Sequence, residues 1–213
     1  MSLSQLCQAL LQTTQAAQDA GLNRGTSGNL SVRCDDGLLI TPSGMSIDEM
    51  RPDDMVFMDF NGHFDRTCKP SSEWRFHLDL LKLRPEFQAV LHAHSTYATT
   101  LSCFGRDMPA FHYMVAVAGG SSIRCAPYAT FGTQTLSDYA MQALVGRKAC
   151  LLGNHGMLVA GASLEDVLAL AIEVESLCEQ YCLAQQIGTP NLLSEEEMAI
   201  VLEKFRNYGR ASL

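Results

Sequence analysis

The stretch Phe87-Gln88-Ala89-Val90-Leu91-His92-Ala93-His94 has the pattern of a short apolar strand that ends in two histidines. Side chains alternate between the two faces of a strand, so His92 and His94 point to the same side and can bind one metal ion together. A second apolar run, Cys150-Leu151-Leu152, precedes Gly153-Asn154-His155-Gly156 and brings a third imidazole to the end of another predicted strand. Three imidazoles with a fourth position left open are typical of a catalytic zinc site.

These histidines also have a simpler interpretation. The chain contains six histidines, and any one of them taken alone is more commonly a satisfied core or surface residue than a ligand. The metal hypothesis therefore requires His92, His94 and His155 to meet in space.

The composition predicts a single domain over residues 1–213. With 47% hydrophobic residues the chain can form one sizeable core, and no Pro/Gly/Ser-rich stretch or run of charges divides it. The eight cysteines include no C-x-x-C pair, and nothing in the sequence argues for export, so we expect them to be reduced.

The charge balance argues against nucleic acid as a partner. The 15 basic and 23 acidic residues give a net charge of -8, and the basic residues form no stripe that would neutralise a phosphate backbone. No apolar run approaches the roughly 18 residues of a membrane span, and the first residues lack the basic and apolar segments of a secretory signal. We therefore expect a cytoplasmic protein that has no membrane partner.

Segments with the apolar spacing of a helix alternate along the chain with segments that have the spacing of a strand. Ser71 or Ser72 is suited to cap a helix that ends near Arg84. The predicted helices are 3–20, 71–84, a short one after His94, 134–146, 163–186 and a last one from 194 to about 209. The predicted strands are 29–33, 38–41, 55–60, the histidine strand, 149–153 and 156–160. This interleaving favours an α/β fold, a three-layer α/β/α sandwich around a single central sheet whose strand order stays open.

Glu73, in the segment Lys69-Pro70-Ser71-Ser72-Glu73, has two interpretations. A carboxylate in the first turn of a helix is stabilised by the helix dipole, and on local sequence alone this is the simpler explanation. Alternatively, Glu73 faces the metal site and transfers a proton, because carbon-bond chemistry beside a metal-bound carbonyl needs a base that the metal does not supply.

Three small-residue loops are suited to an anion. Gly25-Thr26-Ser27-Gly28-Asn29, Thr41-Pro42-Ser43-Gly44 and Ser71-Ser72 each combine hydroxyls with glycines or a helix start, which lets backbone N–H groups approach a phosphate. Each loop taken separately is also an ordinary turn, since these residue types dominate turns. The anion hypothesis requires the three loops to converge.

An ordered set of motifs over nearly the whole chain resembles the class II aldolase/adducin family. These motifs are Gly25-Thr26-Ser27-Gly28-Asn29-Leu30-Ser31-Val32-Arg33, Ile40-Thr41-Pro42-Ser43-Gly44, Pro70-Ser71-Ser72-Glu73-Trp74-Arg75-Phe76-His77, His92-Ala93-His94, His112-Tyr113-Met114, Cys125-Ala126-Pro127-Tyr128-Ala129-Thr130-Phe131-Gly132-Thr133 and His155-Gly156. The resemblance implies a single α/β/α domain, commonly assembled as a homotetramer with active sites between neighbouring subunits.

The resemblance also implies a role for each matching residue. It makes His92, His94 and His155 ligands of Zn²⁺, with Mn²⁺ or Co²⁺ as other candidate ions, and Glu73 the residue that moves a proton. Tyr113 from a neighbouring subunit would act on the aldehyde-derived oxygen, and a second tyrosine matches Tyr208. The residues implied at the substrate phosphate are Asn29, Ser43, Gly44, Ser71 and Ser72, with Thr26 and Gly28 close by.

The activity implied by the resemblance is that of an aldehyde-lyase. It would reversibly cleave a ketose 1-phosphate, such as L-fuculose 1-phosphate, to dihydroxyacetone phosphate and a short aldehyde. A 5-deoxy- or 5-methylthio-pentulose 1-phosphate of nucleoside salvage is the alternative substrate. Ala93 stands where we expect a polar asparagine, and Asn154 stands where we expect another histidine, which bears on aldehyde specificity rather than on the ligands.

Three other activities occur among similar proteins. Enzymes that catalyse 4-epimerisation of L-ribulose 5-phosphate typically carry Ser-Ser-Asp-Thr-Pro-Thr-His where this chain has Ser71-Ser72-Glu73-Trp74-Arg75-Phe76-His77. Dehydration of methylthioribulose 1-phosphate would eliminate water without splitting a carbon–carbon bond. A non-catalytic adducin-like scaffold would have no reason to keep three histidines and Glu73. We therefore favour the aldolase reaction over epimerisation, dehydration and a scaffold function.

Overall fold

The computed structural model describes residues 1–65 and 68–207. Short 3-10 helices lie at Pro52–Asp54 and Tyr113–Ala118. The helices are α1 (Leu3–Asp19), α2 (Trp74–Leu83), α3 (Thr96–Ser102), α4 (Gln134–Ala143), α5 (Leu164–Ile187) and α6 (Glu195–Asn207). The strands are β1 (Asn29–Cys34), β2 (Gly37–Ile40), β3 (Val56–Asp59), β4 (Ala89–Ala93), β5 (Arg124–Ala126), β6 (Ala149–Leu152) and β7 (Gly156–Gly161).

The strands form one seven-stranded sheet in the order β3-β2-β1-β4-β7-β6-β5. All neighbouring pairs are antiparallel except β5 and β6, which are parallel. In the middle of the sheet, β4 pairs with β1 on one side and β7 on the other, and His92 is opposite Asn29 and Leu158. The strand that ends in the histidines is therefore a central one.

Alternation of side chains along the strands produces two cores, one on each face of the sheet. Leu91 and Ala93 of β4 pack with residues of α1 and α5 in one core, whereas Val90 packs with α2 and α4 in the other. This arrangement confirms the predicted α/β/α sandwich around a single central sheet. His92 lies two residues after Val90 on β4, so the two side chains point to the same face of the sheet, which α2 covers.

One predicted detail was wrong, and one strand was missed. The helix predicted from Ser71 or Ser72 begins at Trp74, and its N-cap residue is Glu73, because the Ser71 hydroxyl and carbonyl accept from Glu73 N and Trp74 N in a tight turn before the helix. Strand β5 was not predicted, since three residues are too few to show a period. Among the described residues, no helix is long and apolar enough to cross a membrane.

Helix α3 receives its N-terminal cap from another helix. The carboxylate of Glu175 on α5 accepts hydrogen bonds from Ser95 Oγ at 2.5 Å, Tyr97 N at 2.8 Å and Ala98 N at 2.9 Å. Tyr97 N and Ala98 N are backbone donors that the start of a helix leaves unpaired, and the negative charge of the carboxylate is stabilised by the helix dipole. Since α3 starts two residues after His94, this contact also fixes the chain that leaves the histidine strand.

We predict that Glu175→Ala lowers the free energy of unfolding by about 2–3 kcal/mol, because it removes hydrogen bonds to a charged acceptor and leaves buried donors unpaired. Urea unfolding of the purified protein measures the change. Glu173→Ala is the control, since it removes the same charge from the same helix without a hydrogen bond to α3 in the described part of the chain. Equal losses for the two variants would contradict the capping role.

Candidate active site

Four side chains meet where central elements of the fold end. Strand β4 carries His92 and leads directly to His94, the turn between β6 and β7 carries His155, and Glu73 lies at the start of α2. The candidate ligand atoms of these four residues all lie within 4.8 Å of one another. The three predicted metal ligands and the predicted proton carrier are therefore brought together.

The geometry of this cluster fits a divalent metal ion. His92 Nε2 lies 2.9 Å from His94 Nε2, and His92 Nδ1 lies 2.8 Å from the Met157 carbonyl oxygen. With a metal ion bound, a proton on Nδ1 would donate to that carbonyl and leave the lone pair of Nε2 to the ion, which is the tautomer that a metal ligand needs. Buried Glu73 Oε1 faces His155 Nε2 at 3.1 Å and has no other polar partner among the described residues, so it would lose its one contact if His155 turned Nε2 to a metal ion.

Glu73 is an almost fully buried carboxylate, 8% exposed. Its oxygens lie 3.2 Å from His92 Nε2 and 3.1 Å from His155 Nε2. Burial raises the pKa of Glu73, but the charge of His92 and the contacts with His155 outweigh burial and hold the pKa below its usual range. The carboxyl group is therefore ionised at neutral pH, as a proton acceptor must be.

The three predicted anion loops converge beside this cluster. Ser43 N donates to the Lys69 carbonyl, and Ser71 N donates to the Thr41 carbonyl, so the second and third loops are joined through their backbones. Gly28 and Gly44 have φ angles of +77° and +69°, which L residues with side chains rarely adopt. A cavity of about 350 Å³ is lined by Thr26, Ser27, Gly28, Asn29, Pro42, Ser43, Gly44, Ser71, Ser72, Glu73, His94, Tyr128, Ala129, Phe131, Asn154 and His155.

Tyr113, one of the two predicted tyrosines, does not line this cavity. Tyr113 starts a 3-10 helix, is half exposed, stacks with Phe205 and is not among the residues that line the cavity. Tyr208 lies outside the described residues. Within one subunit, the structure thus brings together the metal, proton and phosphate candidates but not Tyr113.

Several residues that support the site were missed at the level of sequence. Asn23 Oδ1 accepts a hydrogen bond from His94 N, and Ser102 Oγ accepts one from His155 N. His77, on the buried face of α2, contacts Asn29 beside Glu73. His77 could have been noticed as a polar residue among the apolar positions of a helix. No sequence pattern marks Asn23 or Ser102 as part of the site.

Comparisons with known proteins show the family of this chain. The profile of the family described as Class II Aldolase and Adducin N-terminal domain matches residues 8–182. The chain belongs to this family. It is a class II aldolase, a metal-dependent carbon–carbon lyase, and the Glu73 and histidine cluster is suited to the metal ion.

Individual relatives carry two kinds of name. A 5-methylthioribulose-1-phosphate/5-deoxyribulose-1-phosphate aldolase from Rhodospirillum rubrum is 54% identical, covering 94% of this chain and 90% of the relative. An L-fuculose phosphate aldolase from Escherichia coli is 47% identical over 98% of each chain. A solved structure of an L-fuculose 1-phosphate aldolase superposes with a TM-score of 0.92 at 42% identity, covering 97% of this chain and 98% of the other.

Proposed function

We propose that this class II aldolase uses Zn²⁺ to cleave a ketose 1-phosphate reversibly to dihydroxyacetone phosphate and a short aldehyde. The observation that carries the proposal is a single cavity that joins the Glu73 and histidine cluster to three loops suited to a phosphate. A single domain over residues 1–213 and a cytoplasmic location stay predictions of the same proposal.

The proposed roles follow from the chemistry of each group. His92, His94 and His155 hold the ion, with Mn²⁺ or Co²⁺ as other candidates; three imidazole nitrogens suit these ions. When bound, the ion supplies positive charge beside the negative charge that develops on the substrate oxygens. The phosphate binds the hydroxyls and backbone N–H groups of the converging loops, at Thr26, Gly28, Asn29, Ser43, Gly44, Ser71 and Ser72.

Glu73 is proposed to be the general base. In the direction of synthesis its carboxylate accepts the C3 proton of dihydroxyacetone phosphate, the resulting carbanion attacks the aldehyde carbon, and the new alkoxide is protonated by Tyr113 of a neighbouring subunit. Cleavage runs the same steps in reverse. The ionised state of Glu73 supports this role, since a carboxyl group must be deprotonated before it can accept a proton.

We predict that Glu73→Gln keeps the metal but lowers kcat by roughly 10²–10⁴-fold, because the amide cannot accept the proton. Exchange of the C3 proton of dihydroxyacetone phosphate with solvent, followed by NMR, should slow by a similar factor, since exchange needs no aldehyde. His94→Ala is the matched variant that should lose the metal, measured by elemental analysis. Normal proton exchange in a metal-loaded Glu73→Gln enzyme would exclude Glu73 as the base.

Two substrates are proposed. L-fuculose 1-phosphate is the first, on the likeness to the aldolases of that name over nearly the whole chain. A 5-methylthio- or 5-deoxyribulose 1-phosphate is the second, favoured by the 54% identical relative and by Tyr128, Ala129 and Phe131, which give the cavity an apolar side. The two differ at the aldehyde end: the first gives an aldehyde with a hydroxyl next to its methyl group, and the second gives an aldehyde with only a methyl or methylthiomethyl group.

We expect the purified enzyme to release dihydroxyacetone phosphate from ketose 1-phosphates, because cleavage between C3 and C4 leaves the phosphate on the ketone half and because the phosphate loops and the metal cluster share one cavity. A coupled assay for dihydroxyacetone phosphate over a panel of ketose 1-phosphates measures kcat/KM for each. The ratio between L-fuculose 1-phosphate and 5-methylthioribulose 1-phosphate decides the substrate. Turnover of L-ribulose 5-phosphate without dihydroxyacetone phosphate would instead support epimerisation.

We further propose a homotetramer in which Tyr113 completes the site of a neighbouring subunit. Support comes from the position of Tyr113, which is half exposed and does not line the cavity of its own subunit. A closed ring of subunits would complete every site in the same way.

Mixing His155→Ala chains with Tyr113→Phe chains should partly restore turnover, because some interfaces then pair an intact histidine cluster with an intact tyrosine. The measurement is activity of the mixed oligomer relative to each parent, with oligomer size determined by light scattering. A fully active monomer would show that the site needs no neighbour.

A further inference from the structure

His77 is a buried histidine to which the proposed reaction assigns no role. It lies on α2 one helical turn after Glu73 and is 0% exposed. Its Nδ1 lies 2.7 Å from Ser31 Oγ and its Nε2 lies 2.5 Å from Asn29 Oδ1. Asn29 Nδ2 in turn donates to Glu73 Oε2 at 3.0 Å. Four buried polar side chains thus form one chain of hydrogen bonds that ends at Glu73.

The direction of this hydrogen-bond chain is set by its last member. An ionised carboxylate only accepts hydrogen bonds, so Asn29 must turn its Nδ2 toward Glu73 and its Oδ1 toward His77. His77 must then carry its proton on Nε2 to donate to Oδ1, and its Nδ1 accepts from the Ser31 hydroxyl. This tautomer is assigned from the hydrogen-bond network.

The surroundings of His77 keep it in this neutral form. Burial, followed by the charge of His92, lowers the pKa of His77 to about 3. The opposite tautomer would place a lone pair on Nε2 and turn the Asn29 amide, so that Oδ1 faced the carboxylate of Glu73. Two acceptors would then oppose each other in a buried site, which carries a substantial penalty.

The hydrogen-bond chain distinguishes the two oxygens of Glu73. Oε2 accepts a hydrogen bond from Asn29 Nδ2, whereas Oε1 faces only His155 Nε2, at 3.1 Å, and His155 is a proposed metal ligand. Oε1 is therefore the oxygen left available to accept a proton. Since Asn29 also lines the cavity, a fixed amide sets the direction of the carboxylate relative to the substrate.

We propose that His77 is a positioning residue that fixes the Asn29 amide and, through it, the carboxylate of Glu73 for proton transfer. This inference rests on the proposed role of Glu73 as the base. A structural histidine that only fills the core would affect stability and leave the proton-transfer step of the folded enzyme unchanged.

The test compares His77→Gln with His77→Met in the metal-loaded enzyme. The two side chains have nearly the same length and volume, but only Gln has a donor for Asn29 Oδ1. Leu80→Val, at a fully buried position of the same helix, is the control for a loss of packing. For each variant, metal content, KM, kcat and the C3 proton exchange of dihydroxyacetone phosphate are measured.

We expect His77→Met to keep the metal and to slow both kcat and proton exchange by roughly 10–100-fold, the usual effect of losing a group that orients an active-site residue. His77→Gln should recover most of this loss, and Leu80→Val should show none of it. In a Glu73→Gln background, His77→Met should add little further loss, because the same step is already impaired.

Three results would overturn the inference: proton exchange in His77→Met as fast as in Leu80→Val, equal losses in the Gln and Met variants, or full additivity with Glu73→Gln. If His77→Met does not fold, Ser31→Ala replaces it, because this variant removes only the hydroxyl that is bonded to His77 Nδ1. Proton exchange in Ser31→Ala as fast as in Leu80→Val would then overturn the inference. Normal exchange in Glu73→Gln would instead refute the proposed base itself.

Discussion

The structure depends on a buried negative charge that has to be stabilised. Glu73 is only 8% exposed, and a carboxylate in such surroundings is stable only when positive charge or hydrogen-bond donors face it. The fold meets this requirement with imidazoles from His92 and His155 and the amide of Asn29. Each of these comes from a different part of the chain, so the charge can be satisfied only when the central sheet and α2 are assembled correctly.

The sheet makes that assembly rigid. Strand β4 lies between β1 and β7, and Asn29 and His92 are opposite each other in register, so hydrogen-bonded backbone fixes two of the groups around Glu73. The remaining groups are held by capping and turn contacts, from Glu175 after His94 and from Ser102 at His155. A site built on paired strands and supported by such contacts keeps its geometry without the substrate, which is what catalysis by positioned groups requires.

Local patterns in the sequence were enough for some features and not for others. The period of two along β4 predicted that His92 and His94 share a face, and they lie 2.9 Å apart at Nε2. The convergence of the phosphate loops came from the family resemblance, because each loop alone resembles an ordinary turn. The contact of Ser31 with His77 spans 46 residues, and the cap from Glu175 to Ser95 spans 80, so no local spacing records either of them.

In the proposed reaction the two halves of the substrate occupy opposite ends of the cavity, and these ends are built differently. The end proposed to hold the metal and the phosphate is made of strand ends and backbone-linked loops, where a change in one residue disturbs several hydrogen bonds. The end proposed to hold the aldehyde includes Tyr128 and Phe131, which are 61% and 64% exposed and pack little against the core. Substitutions there change the shape and polarity of the cavity at small cost in stability. The aldehyde is therefore the part of the substrate that can diverge while the proton and phosphate chemistry stays unchanged.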